Sequence, residues 1–185
     1  MVNLHHLPEQ VVRFIDSSPQ RDRVVTVFEE SLVGTGGSIL KHRGYMDGAP
    51  FMVIHSDNLS RFDVPAFIER HRRRPPQCEM TMMTFDTDAP QSCGIVELDS
   101  AGVVVSFREK PSSSSSRLAN GAVYILEPSM IRFLEDLGKE TIDFSTEVIP
   151  RFVRRIFTFH NGHYHRDIGN LHSYQQAQVD AAYLR

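Results

Sequence analysis

Phe51-Met52-Val53-Ile54-His55-Ser56-Asp57-Asn58 is apolar for four residues and then turns abruptly polar. Residues 51–55 are short, apolar on both alternating faces and followed at once by hydrogen-bonding side chains. That is the pattern of a strand buried between two layers, not of a strand with one wet face. The polar end is equally informative. A carboxylate following such a strand points into the crevice at the strand C-termini, where open α/β sheets bind ligands. Asp57 also fits a plain turn or helix-cap role, and the residue type alone does not separate the two.

The same pattern recurs on both sides of this stretch. Residues 23–28, 78–85, 94–98, 102–107, 122–126 and 156–160 read as further strands. Helical segments lie between them. Residues 8–17 place Val11, Val12, Phe14 and Ile15 on one side, with Pro8 suited to the first turn. Asp63 can cap a helix running to about residue 74, Pro65 being tolerated near its start. Pro128 opens another that carries Met130, Ile131, Phe133, Leu134 and Leu137, and Gly138 suits its end. Leu171, Tyr174, Ala177, Ala181 and Leu184 form a one-faced stripe on a last helix. Strands alternating with helices predict an α/β fold, a mostly parallel sheet covered on both faces. Leu98-Asp99-Ser100-Ala101-Gly102 reads as an antiparallel hairpin turn, and the serines at 112–116 as a flexible surface loop. Arg72-Arg73-Arg74 reads as a solvated helix end favoured by the helix dipole. Neither a repeat nor a boundary divides the chain, so residues 1–185 are expected to form one domain.

Composition narrows the function classes. The chain has 185 residues, 41% hydrophobic and 23% charged, a globular profile with enough apolar mass for a core. Its formal charge of −3 lacks the basic excess of a nucleic-acid binder. No apolar run reaches membrane-spanning length, and the start Met1-Val2-Asn3-Leu4-His5-His6 has no basic or apolar leader. Cys78 and Cys93 form no motif and no disulfide framework, which points to a reducing cytoplasm.

Four further stretches could carry chemistry. Leu32-Val33-Gly34-Thr35-Gly36-Gly37-Ser38 follows a strand and precedes a helix. Its glycines allow close approach to a ligand, and the helix start after them offers free N–H groups; a tight strand-to-helix turn explains them equally well. Arg166-Asp167-Ile168-Gly169 offers a second carboxylate, or a cap for the final helix. Glu109-Lys110-Pro111 closes a strand and Asn120-Gly121 opens the next, giving donors and acceptors for sugar hydroxyls, or a loop ion pair. His160, His163 and His165, with His5 and His6, invite a zinc reading, but their spacing matches no structural finger.

Taken in order, these segments resemble the sugar-phosphate nucleotidyltransferases, among them mannose-1-phosphate guanylyltransferases and glucose-1-phosphate thymidylyl- and uridylyltransferases. The resemblance rests on Val2-Asn3-Leu4-His5-His6-Leu7, Leu32–Gly37, His55-Ser56-Asp57-Asn58, Cys93-Gly94-Ile95-Val96-Glu97, Glu109-Lys110-Pro111, Asn120-Gly121-Ala122-Val123-Tyr124 and His165-Arg166-Asp167-Ile168-Gly169. It covers nearly the whole chain, and its wording is nearest the guanylyltransferase-like members. It implies a three-layer Rossmann-like fold with a mixed sheet between helices. It implies a nucleotide site at Gly34, Thr35, Gly36, Gly37 and Ser56, and a sugar-phosphate site at Gly94, Glu109, Lys110, Asn120 and Gly121. Asp57 and Asp167 would hold Mg2+ and act in catalysis. The substrates would be a nucleoside triphosphate and a sugar 1-phosphate and the product a nucleotide sugar; a homo-oligomer is one assembly open to the chain, and the sequence does not fix its oligomeric state. A silent nucleotide- or sugar-binding module derived from the family is the alternative. The resemblance also implies a glycine-rich start of the form Gly-x-Gly-x-Arg-Leu, a lysine segment and two strands ahead of Met1. Asn170 stands where many relatives have threonine.

Overall fold

The computed structural model describes residues 1–46 and 48–184. Its centre is a six-stranded sheet organised around β8, Leu118–Leu126. On one side β8 pairs antiparallel with β5, Met80–Asp86. On the other it pairs antiparallel with β3, Phe51–Ile54, through residues 123–126, and meets β6, Gly94–Leu98, at Ala119. β9, Ile156–His160, lies parallel to β5, and β7, Val104–Glu109, lies antiparallel to β6. Hence β3, β5, β6 and β9 point one way and β7 and β8 the other. The sheet is mixed and mostly parallel in direction, as the resemblance implies. Two small sheets stand apart from it: β1, Val2–Leu4, parallel to β2, Thr26–Phe28; and β4, Asn58–Arg61, antiparallel to β10, Tyr164–Asp167.

Alternation along β8 decides what covers each face. Tyr124 and Leu126 join Met80 and Met82 in the main core, under α2 (Gly34–Lys41), α4 (Ser129–Asp136) and α5 (Ile149–Phe152). Val123 and Ile125 face the other way and pack with Met83 against Phe67 of α3, Val64–Arg72. Phe67 is wholly buried; burying a side chain of that size contributes about 1.5–3 kcal/mol. The α3 start has the expected cap, with the Asp63 carboxylate accepting from the Ala66 N–H at 2.9 Å. The predicted hairpin joins β6 to β7, and Asp99 accepts from the Ala101 and Val103 N–H groups to hold its turn.

β8 is not a straight strand. Ala122 has φ +50°, a left-handed conformation that strains a non-glycine residue by about 1–2 kcal/mol. The β5 register shifts between Met82 and Thr84 beside it. The Asn120 side-chain oxygen accepts from the Ala122 N–H at 3.0 Å, and the Ala122 carbonyl accepts from the His55 N–H at 3.2 Å. The kink is therefore held by residues on both sides of it.

Several expectations need correction. The second strand begins at Thr26, because Arg21–Arg23 close a 3-10 turn. β8 begins at Leu118, so Asn120 and Gly121 lie inside it and do not open it. Gly34, Gly36 and Gly37 are not a turn ahead of a helix; they form the first turn of α2 itself. α1, Pro8–Ser17, forms as predicted but buries no residue, and Phe14 is 74% exposed. The stripe on α6, Leu171–Ala181, is likewise not what docks it: Leu171 and Tyr174 are exposed and only Ala177 is buried. Arg72 and Arg73 are solvated and face Glu69, but Arg74 turns inward to Glu127 at 2.6 Å and donates to the Cys78 and His71 carbonyls. The β4–β10 ribbon was not foreseen; its strands are polar and their partners lie about a hundred residues apart in the chain.

Candidate functional site

The C-terminal ends of β3, β5 and β9 and the N-terminal half of β8 converge on one rim, and the ribbon rises from it. Asp57 links β3 to β4, and Asp167 ends β10. The register pairs Asp167 with Asn58, and the Ile168 N–H donates to the Asp57 carbonyl at 2.7 Å. Both acids therefore sit at the same end of the ribbon. A Cβ built on Gly169 would stand 3.0 Å from Asp167 Oδ1 and 3.9 Å from Asp57 Oδ2, so the two carboxylates approach one point. Asp167 Oδ1 accepts from the Gly169 N–H at 2.7 Å, and Asp57 Oδ1 accepts from Asn58 at 3.3 Å. One oxygen of each acid is left over, and both side chains are exposed.

Hard oxygen donors in this number suit magnesium carried by a nucleotide, because phosphate and water complete its shell. Among the described residues no group of three or more metal-ligating side chains gathers. The histidines of the zinc reading separate: His160 lies 3.8 Å from Asp86, while His165 Nδ1 lies 2.7 Å from Ser60 Oγ across the ribbon. The His165 ring packs on Phe85 with centroids 4.2 Å apart. Burial pushes its pKa down to about 4, against an opposing pull from Asp167 and Asp57.

At the start of α2, where a nucleotide site is expected, the structure shows an internal reason for the glycines. A Cβ on Gly34 would meet the Ile142 carbonyl oxygen at 2.5 Å, and one on Gly37 would meet that of Glu140 at 2.3 Å. Gly36 would meet the Ile142 side chain at 2.6 Å, and its N–H donates to the Ile142 carbonyl at 3.0 Å. Their side-chain directions are thus filled by the chain's own segment 140–142. Thr35 faces elsewhere: its hydroxyl lies 3.2 Å from His55 Nε2, joining the start of α2 to the end of β3. Ser56 is exposed in the turn before Asp57.

Of the residues expected to bind a sugar phosphate, Gly94 and Glu109 are cross-strand partners. A Cβ on Gly94 would meet the Phe107 ring at 2.7 Å and Glu109 Oε2 at 2.8 Å, so both side chains lie close over the glycine. Burial raises the Glu109 pKa, Lys110 opposing and Asp143 adding to the shift. Lys110 holds φ +42° and donates its N–H to the Cys93 carbonyl at 3.0 Å. Asn120 donates from Nδ2 to Tyr124 Oη at 2.7 Å, so both ends of its amide are already engaged within β8. Gly121 is the floor below His165: a Cβ there would stand 3.6 Å from His165 Cε1 and 2.8 Å from the Met83 methyl. The Tyr124 ring packs near His55 and Phe144, between these two sets of residues. Its hydroxyl pKa is raised, first by burial.

The sequence-named residues therefore fall into three neighbouring groups: the paired acids, the α2 start and the Gly94–Glu109 corner. The contact of His55 with Thr35 and that of Ser60 with His165, which the sequence offered only as a zinc candidate, escaped notice. One signal was available. His165 and Asp167 are two apart in a strand, which places them on one face.

A family model described as "Nucleotidyl transferase" matches residues 1–183. "Probable mannose-1-phosphate guanylyltransferase 3" of Oryza sativa subsp. japonica is 29% identical over 154 residues, covering 80% of this chain and 41% of that protein. "Glucose-1-phosphate adenylyltransferase" of Thermomicrobium roseum is 27% identical over 155 residues, covering 79% of this chain and 36% of that protein. This chain thus spans well under half the length of such relatives. Among solved structures, HddC from Yersinia pseudotuberculosis superposes with a TM-score of 0.80 at 23% identity, over 97% of this chain and 76% of that one. A second structure of HddC, complexed with GMP-PN, gives a TM-score of 0.78 at 23% identity, covering 96% of this chain and 76% of that one.

Proposed function

This chain belongs to the nucleotidyl transferase family, and from that premise we propose that it serves the transfer of a nucleotidyl group to a sugar 1-phosphate. An oxygen of the sugar phosphate bonds to the α-phosphorus of a nucleoside triphosphate. The bond from that phosphorus to the bridging oxygen breaks, and pyrophosphate leaves with the electron pair. The protein's part in such a displacement is alignment and charge neutralisation. Asp57 and Asp167 would hold Mg2+, which when bound stabilises charge on the phosphate oxygens. The start of α2, with Thr35 and Ser56, faces the nucleotide. Gly94 and Gly121 let Glu109 and His165 lie close over the sheet, Glu109 accepts from the sugar hydroxyls, and Lys110 offsets its phosphate charge.

The approach of the two carboxylates to one point beside Gly169 carries this reading. It supplies the oxygen pair that a nucleotide-borne cation needs, at the strand ends where α/β sheets bind ligands. Guanine is the favoured base, supported by the guanylyltransferase relative and by the neighbour complexed with GMP-PN. A cytoplasmic setting fits Cys78 and Cys93, which are both free thiols. The test is pyrophosphate release from a panel of triphosphates and hexose 1-phosphates with Mg2+. Saturable binding of both substrates with no release would favour the silent binding module instead.

A further inference from the structure

Among the described residues, the ribbon that carries both acids shares no ladder hydrogen bonds with the main sheet. Its inner face rests on the ring of His165 against Phe85. Its outer face rests on α6, and that contact is unusual in kind. Among the described residues of α6, Ser173, Ala177 and Asp180 alone are not exposed. They recur at i, i+4 and i+7, so they form one narrow face. A stripe this small and polar contributes little apolar burial. Among the described residues, the side-chain hydrogen bonds that join α6 to the ribbon go to β10, and a further one holds Asp180 from within the helix. Ser173 Oγ donates to the Asp167 carbonyl. Asp180 Oδ2 accepts from Tyr164 Oη at 2.6 Å and from Arg166 Nε at 3.1 Å. Gln176 donates to the other Asp180 oxygen at 2.8 Å. The alternation of a strand puts Tyr164 and Arg166 on the face opposite His165 and Asp167. The helix thus grips β10 from behind while Asp167 faces the site.

We infer that Asp180 is a positioning residue: through Tyr164 and Arg166 it sets β10 against β4 and so fixes the separation of the Asp57 and Asp167 carboxylates. A cation held by only two protein carboxylates depends strongly on that separation. Outer residues that orient a ligand typically change metal affinity by about 10- to 100-fold when removed. This inference rests on the proposed cation site, and the experiment separates the two.

Mn2+ affinity of the full chain, with nucleoside triphosphate present, is read by electron paramagnetic resonance for wild type, Asp180→Asn, Asp180→Glu and Val179→Ser. Val179 is 55% exposed on another face of the same helix and serves as control. Asp180→Asn should weaken Mn2+ binding roughly 10-fold, with global unfolding nearly unchanged. Asp180→Glu should recover part of the loss, and Val179→Ser should match wild type. In the same variants the Ile168 amide, which donates to Asp57, should lose hydrogen-exchange protection in Asp180→Asn only. Mn2+ affinity within twofold of wild type in Asp180→Asn would overturn the inference and leave the cation site standing. A wild-type chain that binds no Mn2+ would overturn the cation site and this inference together.

Discussion

Gly37→Ala sets two effects of opposite sign against each other. Within a helix, alanine is favoured over glycine by about 1 kcal/mol. In α2, however, the new Cβ would meet the Glu140 carbonyl oxygen at 2.3 Å and Val33 carbons at 2.9 and 3.0 Å. Backbone cannot rotate out of the way as a side-chain tip can, so the overpacking term sits at the upper end of its range, about 3 kcal/mol. The clash wins by about 2 kcal/mol. For a domain of this length each kcal/mol shifts the melting temperature by about 2–4 °C, so a fall of roughly 4–8 °C is expected. Gly44→Ala is the matched control, because nothing lies within 4 Å of its Cβ position; it should melt at or slightly above wild type. Calorimetry or urea unfolding of the three proteins reads this directly, without ligand. A Gly37→Ala protein as stable as wild type would refute the seating of segment 140–142 on α2. If it also lost nucleotide binding, the glycine would be there for the base alone.

Other outcomes follow from the same geometry. Asp57→Asn should lower pyrophosphate release by at least about 100-fold with an unchanged melting temperature, since the side chain is exposed; wild-type turnover would remove the acid from the chemistry. His165, depressed to about pKa 4, should stay neutral in the folded chain through pH 5. Its folded pKa lies below the unfolded one, so its contribution is complete above about pH 6.5 and is lost as pH falls towards 4. The loss approaches about 3 kcal/mol as an upper, order-of-magnitude figure. An NMR titration of the His165 ring, and a flatter stability profile in His165→Phe, check both halves of this statement. Phe14→Ser should change unfolding free energy by less than about 0.5 kcal/mol while raising solubility, because the ring is 74% exposed; a large destabilisation would mean that α1 packs where it shows no burial.

The sequence revealed what depends on local pattern. Residues 8–17, 94–98 and 156–160 have the element bounds that periodicity and flanking residues assign. The Asp63 cap and the Asp99 turn are short-range hydrogen bonds and were legible for that reason. The ribbon was not, because Asn58-Leu59-Ser60-Arg61 and Tyr164-His165-Arg166-Asp167 bury no continuous face and so lack a strand's apolar rhythm. Ser60 and His165 are 105 positions apart, and nothing local announces such a partner. α6 misled for the converse reason: its apolar residues are regularly spaced, yet its docking is polar. At the site, Asp57 and Asp167 stood out because one closely follows a strand and the other ends one. The role of segment 140–142 did not, since close backbone approach leaves no mark beyond the glycines themselves.

The left-handed Ala122 divides β8 into two arms. Residues 123–126 lie beside β3, which leads to Asp57, while Ala119 touches β6, whose first residue is Gly94, below Glu109. The angle at which an incoming phosphate would be aimed at a bound nucleotide is therefore written in one peptide's torsion, not in any side chain that reaches a substrate. On the proposed function, the hairpin could be exchanged to suit a different sugar with that aim kept, because the protractor sits between the two and belongs to neither.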